Sequence, residues 1–216
     1  MMGCRRSVNL LAVLGLLASI SMAAEFPAAS VDIRGSSNQP AFAVFAGGCF
    51  WGMEAVFEQL NGVADVVSGY AGGDPGTAQY ETVSSGRTGH AESIRVTYDP
   101  SVISYGKLLQ VYFSVAHDPT QLNRQGPDEG TQYRSAIFYS SADQKRVAEA
   151  YIRQLTVAKV FRYPIVTQLV PLAGFFEAED YHQDYIARNP DNPYVVYNDL
   201  PKIDNLKRRY PELLKR

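Results

Sequence analysis

Residues 42–60 read Phe42-Ala43-Val44-Phe45-Ala46-Gly47-Gly48-Cys49-Phe50-Trp51-Gly52-Met53-Glu54-Ala55-Val56-Phe57-Glu58-Gln59-Leu60. The apolar run over 42–45, ended by Gly47-Gly48, predicts a short buried strand. From Trp51 onward Met53, Val56, Phe57 and Leu60 recur at helical spacing. Asn61-Gly62 then stops the pattern as a C-cap does. A strand that hands straight to a helix puts Cys49 beside the first helical turn. Unpaired N–H groups and the helix dipole favour an anion there. A thiolate is the reactive form of cysteine, so this position is expected to depress the thiol pKa. A small buried cysteine packed under the helix fits the same position. Phe50 and Trp51 either wall an apolar pocket or belong to the core.

Outward from this junction, strands and helices interleave. Residues 63–67 read as a second strand, and Gly72-Gly73-Asp74-Pro75-Gly76 as a loop. Over 92–98 Ile94, Val96 and Tyr98 alternate with Ser93, Arg95 and Thr97, as in a half-buried strand ended by Asp99-Pro100. Ser104 caps a helix carrying Leu108/Tyr112 and Leu109/Phe113 as i,i+4 pairs. Residues 117–132 form a long polar loop, a kind of segment that is often functional. Residues 136–139 are a further strand. Ser141-x-x-Gln144 is a capping box opening a helix to about residue 159. Residues 165–172 are strand-like, residues 178–187 are expected to be helical, and the chain from Asp191 onward should wrap the outside. The pattern predicts a two-layer α+β domain, helices on a mostly antiparallel sheet.

The 216 residues suffice for one domain with a proper core, and 46% hydrophobic against 19% charged content describes a globular chain. A formal net charge of −2 gives no basic footprint for nucleic acid. Residues 1–23 combine Arg5 and Arg6 with an apolar run over 8–20 and small residues at Ser21 and Ala23. This reads as a cleaved signal peptide and predicts export, in a bacterium to the periplasm. An uncleaved N-terminal anchor is the competing reading. Residues 24–40 read as a flexible segment, and residues 41–216 as the folded domain. Of the two cysteines, Cys4 leaves with the signal, so Cys49 is the mature chain's single thiol.

By strand parity Glu92 faces the core with Ile94 and Val96. A carboxylic acid among apolar groups is pushed toward its neutral form and can then donate a proton. If the strand starts after it, Glu92 is instead solvated. Tyr80 and Tyr133, on or beside loops, can donate hydrogen bonds to an oxygen-bearing substrate, or simply pack. Asp128 can orient a polar group or cap a turn. His90, His117 and His182 lack metal-ligand spacing, and no Gly-rich phosphate loop is present, so neither a metal nor a bound cofactor is expected.

Four separated motifs carry a resemblance: Gly48-Cys49-Phe50-Trp51-Gly52, Gly89-His90-Ala91-Glu92, Gly130-Thr131-Gln132-Tyr133-Arg134-Ser135 and Ala178-Glu179-Asp180-Tyr181-His182-Gln183. With them the chain resembles the A-type peptide methionine sulfoxide reductases, which act on the S epimer of the sulfoxide. The resemblance covers about residues 41–200. It implies a ferredoxin-like two-layer sandwich with additional helices and long loops. It implies Cys49 as nucleophile, Glu92 as acid, and Tyr80 and Tyr133 as oxygen-binding donors. Phe50 and Trp51 would form the methyl pocket, with Asp128 assisting recognition. The implied reaction is repair of oxidised proteins: methionine-(S)-sulfoxide, free or in proteins, goes to methionine through a Cys49 sulfenic acid, which an external thiol reductant then reduces.

One departure matters. Many members carry further cysteines near the C-terminus, and residues 207–216 contain none. This predicts a one-cysteine cycle served directly by an external thiol donor, such as a thioredoxin-like carrier, in a monomer. The alternatives are a peroxide reductase, a cysteine hydrolase with one of the three histidines as base, or a secreted domain that binds Met-bearing peptides.

Overall fold

The computed structural model describes residues 26–33 and 39–216. In chain order the elements are β1 (Ala41–Gly47), α1 (Phe50–Glu58), β2 (Val63–Ala71), α2 (Tyr80–Val83), β3 (Ala91–Tyr98) and α3 (Tyr105–Val111). Then come β4 (Arg124–Gln125), β5 (Asp128–Glu129), β6 (Ser135–Tyr139), α4 (Ala142–Val157), β7 (Gln168–Pro171), β8 (Phe175–Glu177), α5 (Tyr185–Arg188) and α6 (Leu200–Arg209). Six strands form one sheet in the order β7-β6-β1-β3-β2-β8. The central four are antiparallel neighbours, with α1 joining β1 to β2 and α3 lying between β3 and β6. This is the split βαβ of a ferredoxin-like sandwich. The long α4 crosses from β6 to the parallel edge strand β7, as a parallel pair requires.

The period of two along each strand decides which side faces the helices. Ala43 and Phe45 of β1 and Ile94 and Val96 of β3 join Met53, Val56 and Phe57 of α1 and Leu108 and Leu109 of α3 in the main core. Val44, Ala46, Ala71, Ala91, Ala136 and Phe138 form a thinner cluster on the opposite face. Both predicted caps form. The Ser104 hydroxyl accepts from the Lys107 amide at 3.2 Å, and the Ser141 hydroxyl from the Gln144 amide at 3.1 Å. The Gln144 side chain reaches back one residue further than a capping box requires and accepts from the Ser140 amide at 2.9 Å.

Three expectations need correction. Residues 178–187 are not one helix: a 3₁₀ turn over Asp180–His182 is followed by Asp184 at φ 49° and then by the short α5. The Gln183 side chain is the reason. It donates to the Ser68 and Ala178 carbonyls and accepts from the Ser68 amide at 2.9 Å, tying the segment to β2 instead of letting it coil. The tail does not merely wrap the outside, because Val195, Asp199 and Leu206 are fully buried. Residues 26–33 of the lead-in are docked, not loose. Asp32 accepts from the Ser104 hydroxyl at 2.5 Å and from the Gly106 amide at 2.7 Å, and Gln110 donates to the Phe26 carbonyl at 2.8 Å. The predicted signal peptide, residues 1–23, lies outside the described residues. Among the described residues no helix is long and apolar enough to cross a membrane.

Candidate active site

The end of β1 delivers Cys49 to the start of α1, where it is the N-cap residue without a side-chain cap bond. Gly48 makes the corner possible. Its φ is +93°, and a Cβ there would stand 2.5 Å from the Gln125 side chain, so only glycine fits. Beneath the corner, the Tyr112 hydroxyl donates to the Ala46 carbonyl at 2.8 Å, and His117 Nε2 lies 2.7 Å from the Ser135 hydroxyl. These bonds fix the strand end from which the thiol projects.

The Cys49 thiol is buried, 7% exposed. The expected depression of its pKa is not what the site produces at rest. Burial pushes the thiol well above its ordinary value, and the charges of Glu92 and Asp199 push the same way. The helix start does act in the expected direction, through the Trp51 N–H, and Lys202 helps it, but both are outweighed. At rest Cys49 is a protonated thiol.

Glu92 is 3% exposed on β3, on the core side that parity predicts. Its carboxylate oxygen accepts from the Phe50 amide at 3.2 Å, which ties it to the residue after Cys49. Burial pushes its pKa up to about 8 despite that bond, with the Asp128 charge adding to the rise. At neutral pH Glu92 is therefore mostly a neutral acid able to give up a proton.

Tyr80 opens α2, its amide donating to Glu179 at 2.9 Å. Tyr133 ends a 3₁₀ turn over Thr131–Tyr133. Burial and then the charge of Glu92 push both phenols above their ordinary range, and the charge of Cys49 also reaches both. The charges of Glu92 and Cys49 thus act on both Tyr80 and Tyr133, and both phenols stay protonated. Asp128 comes in on the β4–β5 hairpin within the long loop and accepts a short hydrogen bond from the Tyr194 hydroxyl.

Phe50 is fully buried, its ring 5.0 Å from that of His182. Trp51 stacks on Tyr185 at 3.7 Å and 7°, meets Tyr194 edge-on at 5.9 Å, and donates from Nε1 to His182 Nδ1 at 3.2 Å. An aromatic wall of this kind suits an apolar group such as a methyl. The histidines serve structure. His90 holds the Gly73 amide and the Asp74 carbonyl, and burial lowers His117 to about 4. Among the described residues no group of three or more His, Cys, Asp or Glu side chains could hold a metal ion.

Sequence reasoning missed Tyr194, Tyr185, Asp199 and Lys202. They lie more than 130 residues after Cys49, Tyr185 in the segment read as a helix and the other three in the tail read as outer wrapping, and no spacing links them to it. His182, inside a recognised motif, was weighed only as a base in the hydrolase alternative and was not linked to Trp51.

A thiol at a helix start with a neutral acid tied to the next residue suits a thiol-based enzyme on an α+β scaffold. The sequence profile described as Peptide methionine sulfoxide reductase matches residues 41–213. The chain is 60% identical over 171 residues to a peptide methionine sulfoxide reductase MsrA 2 of Mesorhizobium japonicum, covering 79% of this chain and 88% of that one. It is 56% identical over 186 residues to one from a Synechocystis strain, covering 86% and 85%. The crystal structure of reduced Mxr1 from Saccharomyces cerevisiae is similar at TM-score 0.65 and 37% identity, covering 71% of this chain and 88% of that one. A methionine sulfoxide reductase A of Corynebacterium diphtheriae is similar at TM-score 0.63 and 36% identity, covering 74% and 79%. The chain belongs to the peptide methionine sulfoxide reductase family, A type, and is an oxidoreductase that reduces methionine sulfoxide.

Proposed function

We propose that Cys49 attacks the sulfur of methionine-(S)-sulfoxide while Glu92 protonates its oxygen. The observation that carries this reading is the Phe50 N–H bond to a buried, largely neutral Glu92 one residue beyond the nucleophile. A bond forms between the Cys49 sulfur and the sulfoxide sulfur as the thiol gives up its proton. The oxygen takes the Glu92 proton, held meanwhile by the Tyr80 and Tyr133 hydroxyls in an oxyanion-type arrangement. The oxygen then passes to the Cys49 sulfur as the sulfur–sulfur bond breaks. The balance is thiol plus sulfoxide to sulfenic acid plus thioether, with Cys49 oxidised by two electrons. The proton lost by the thiol returns to Glu92. Phe50 and Trp51 receive the methyl group, and Asp128, fixed by Tyr194, assists recognition.

No second cysteine follows Cys49 in the sequence. The sulfenic acid is therefore reduced by an external dithiol, such as a thioredoxin-like carrier, which closes the cycle without an intrachain disulfide. Residues 1–23 direct export, which places this donor and the oxidised protein substrates in an extracytoplasmic compartment, and the mature enzyme works as a monomer. The test is mass spectrometry of the protein given a methionine-(S)-sulfoxide peptide without reductant. One equivalent of reduced peptide with a single oxygen added at Cys49 is expected. An unmodified Cys49 in folded protein with no peptide reduced would refute the reading.

A further inference from the structure

Asp199 and Lys202 have no place in the mechanism above, yet they stand at its nucleophile. Asp199 is fully buried and Lys202 Nζ lies 3.0 Å from its Oδ1. Asp199 is the N-cap residue of α6, where an aspartate ordinarily accepts from its own helix's amides, but it makes no side-chain cap bond there. It turns instead toward α1. A Cβ on Gly52 would stand 2.2 Å from Asp199 Oδ1 and 2.8 Å from Lys202 Nζ. Gly52 is the third residue of α1, counted from the N-cap Cys49. A side chain at that position of a capping box reaches back to the N-cap residue. The carboxylate from the tail fills the space that the missing Gly52 side chain leaves. Its second oxygen, Oδ2, is buried with no hydrogen-bond partner among the described residues. A buried, half-satisfied ion pair is a costly thing to keep for packing alone.

We infer that Asp199 and Lys202 are positioning residues for the nucleophile: lodged in the Gly52 notch, the pair sets the charge against which the Cys49 thiol ionises. This deepens the proposed function and rests on it for the role of Cys49. The other titratable groups facing Cys49 are Glu92 from β3, Tyr80 from α2, Tyr133 from its 3₁₀ turn and Tyr194 from the tail. Asp128 faces Asp199 as well. At neutral pH Glu92 is largely protonated and the phenols are neutral, which leaves Lys202 as the cation that acts on Cys49. Lys202 favours the thiolate and Asp199 opposes it, so the pair can be unbalanced in either direction. An enzyme without a resolving cysteine gains from a restrained thiol, which meets fewer adventitious oxidants before substrate arrives.

The experiment is the pH dependence of Cys49 alkylation by iodoacetamide in the full chain, read as the Cys49 peptide adduct so that Cys4 does not interfere. Lys202→Met should move the midpoint to higher pH by about one unit, and Asp199→Asn should move it lower by a similar amount. Lys202→Arg should keep the wild-type midpoint. Gly52→Ala, which favours the helix but fills the notch, should disturb the profile although it changes no charge. Unchanged midpoints in folded Lys202→Met and Asp199→Asn would overturn the inference. If Asp199→Asn fails to fold, the Lys202→Met and Lys202→Arg comparison decides alone, since the Lys202 side chain is 18% exposed. The titration reads the thiol directly. A wild-type enzyme inert toward sulfoxide would therefore sink the proposed function and leave this result standing.

Discussion

The Phe50 amide donates to Glu92 at 3.2 Å, so the first peptide unit beyond Cys49 and the carboxyl group 42 residues away are one hydrogen-bonded pair. The pair couples the start of α1 to the middle of the sheet. An acid held in this way has a fixed position relative to the Cys49 residue. It also has a proton to lose only while burial keeps it neutral.

Glu92→Gln should lower the single-turnover rate of sulfoxide reduction by about 10²- to 10⁴-fold, the range of a lost general acid. The pH profile should change shape too. In the wild type, thiolate rises with pH until Glu92 begins to lose its proton near 8, after which the two trends offset and the rate levels. In Glu92→Gln the rise should continue past that point. A variant with wild-type turnover and a wild-type plateau would remove Glu92 from the chemistry.

The same burial has a stability consequence. The folded pKa of Glu92 is raised from 4.5 to about 8, so between those values the folded state binds the proton more tightly than the unfolded chain. Its contribution is fully present below about 4.5 and is lost as pH rises to about 8. Glu92→Gln carries no such penalty. Its stability relative to wild type should grow by a few kcal/mol from pH 5 to pH 8 and then level, as urea unfolding at each pH would report. A difference that stays flat with pH would contradict a neutral buried Glu92.

Trp51→Ala removes the ring that stacks on Tyr185 at 3.7 Å and the Nε1 donor to His182. Its expected effect is on selectivity: KM for the methyl sulfoxide rises, and the preference over ethyl and benzyl analogues shrinks about 10-fold or more. A wild type that turns over bulky sulfoxides as well as methyl ones would argue against a methyl pocket.

Tyr194→Phe deletes the hydroxyl that bonds Asp128 and leaves a partly buried carboxylate without that partner. The expected loss in kcat/KM corresponds to about 1–3 kcal/mol, or roughly 5- to 150-fold. Steady-state kinetics should show it more in KM than in kcat if Asp128 serves recognition. An effect confined to kcat would move Asp128 into the chemical step.

Asp32→Ala tests the docked lead-in. It removes both the Ser104 and the Gly106 bonds and should destabilise the fold by about 1–2 kcal/mol with little change in kcat. Thermal unfolding together with turnover separates this from a role at the site.

Much of the fold was legible along the chain. Alternation over 92–98 placed Glu92 on the core side, and the helix spacing after Cys49 placed the thiol at a helix start. Both follow from local periodicity, which the backbone imposes on neighbouring residues. The segment 178–187 was misread because a single side chain, Gln183, trades helical bonds for bonds to Ser68 on β2, and propensity is blind to such a contact.

By itself the sequence determined the α+β class, the place of Cys49 at a helix start and the core-facing side of Glu92, because strand parity and helix spacing are written in consecutive positions. Only the tertiary structure decided that the C-terminal segment enters the site with Tyr194, Asp199 and Lys202. It also decided that the Cys49 thiol rests protonated. A helix start lowers a thiol pKa locally, but burial and two nearby carboxylates raise it further, and the balance exists only once distant parts of the chain have closed around the sulfur.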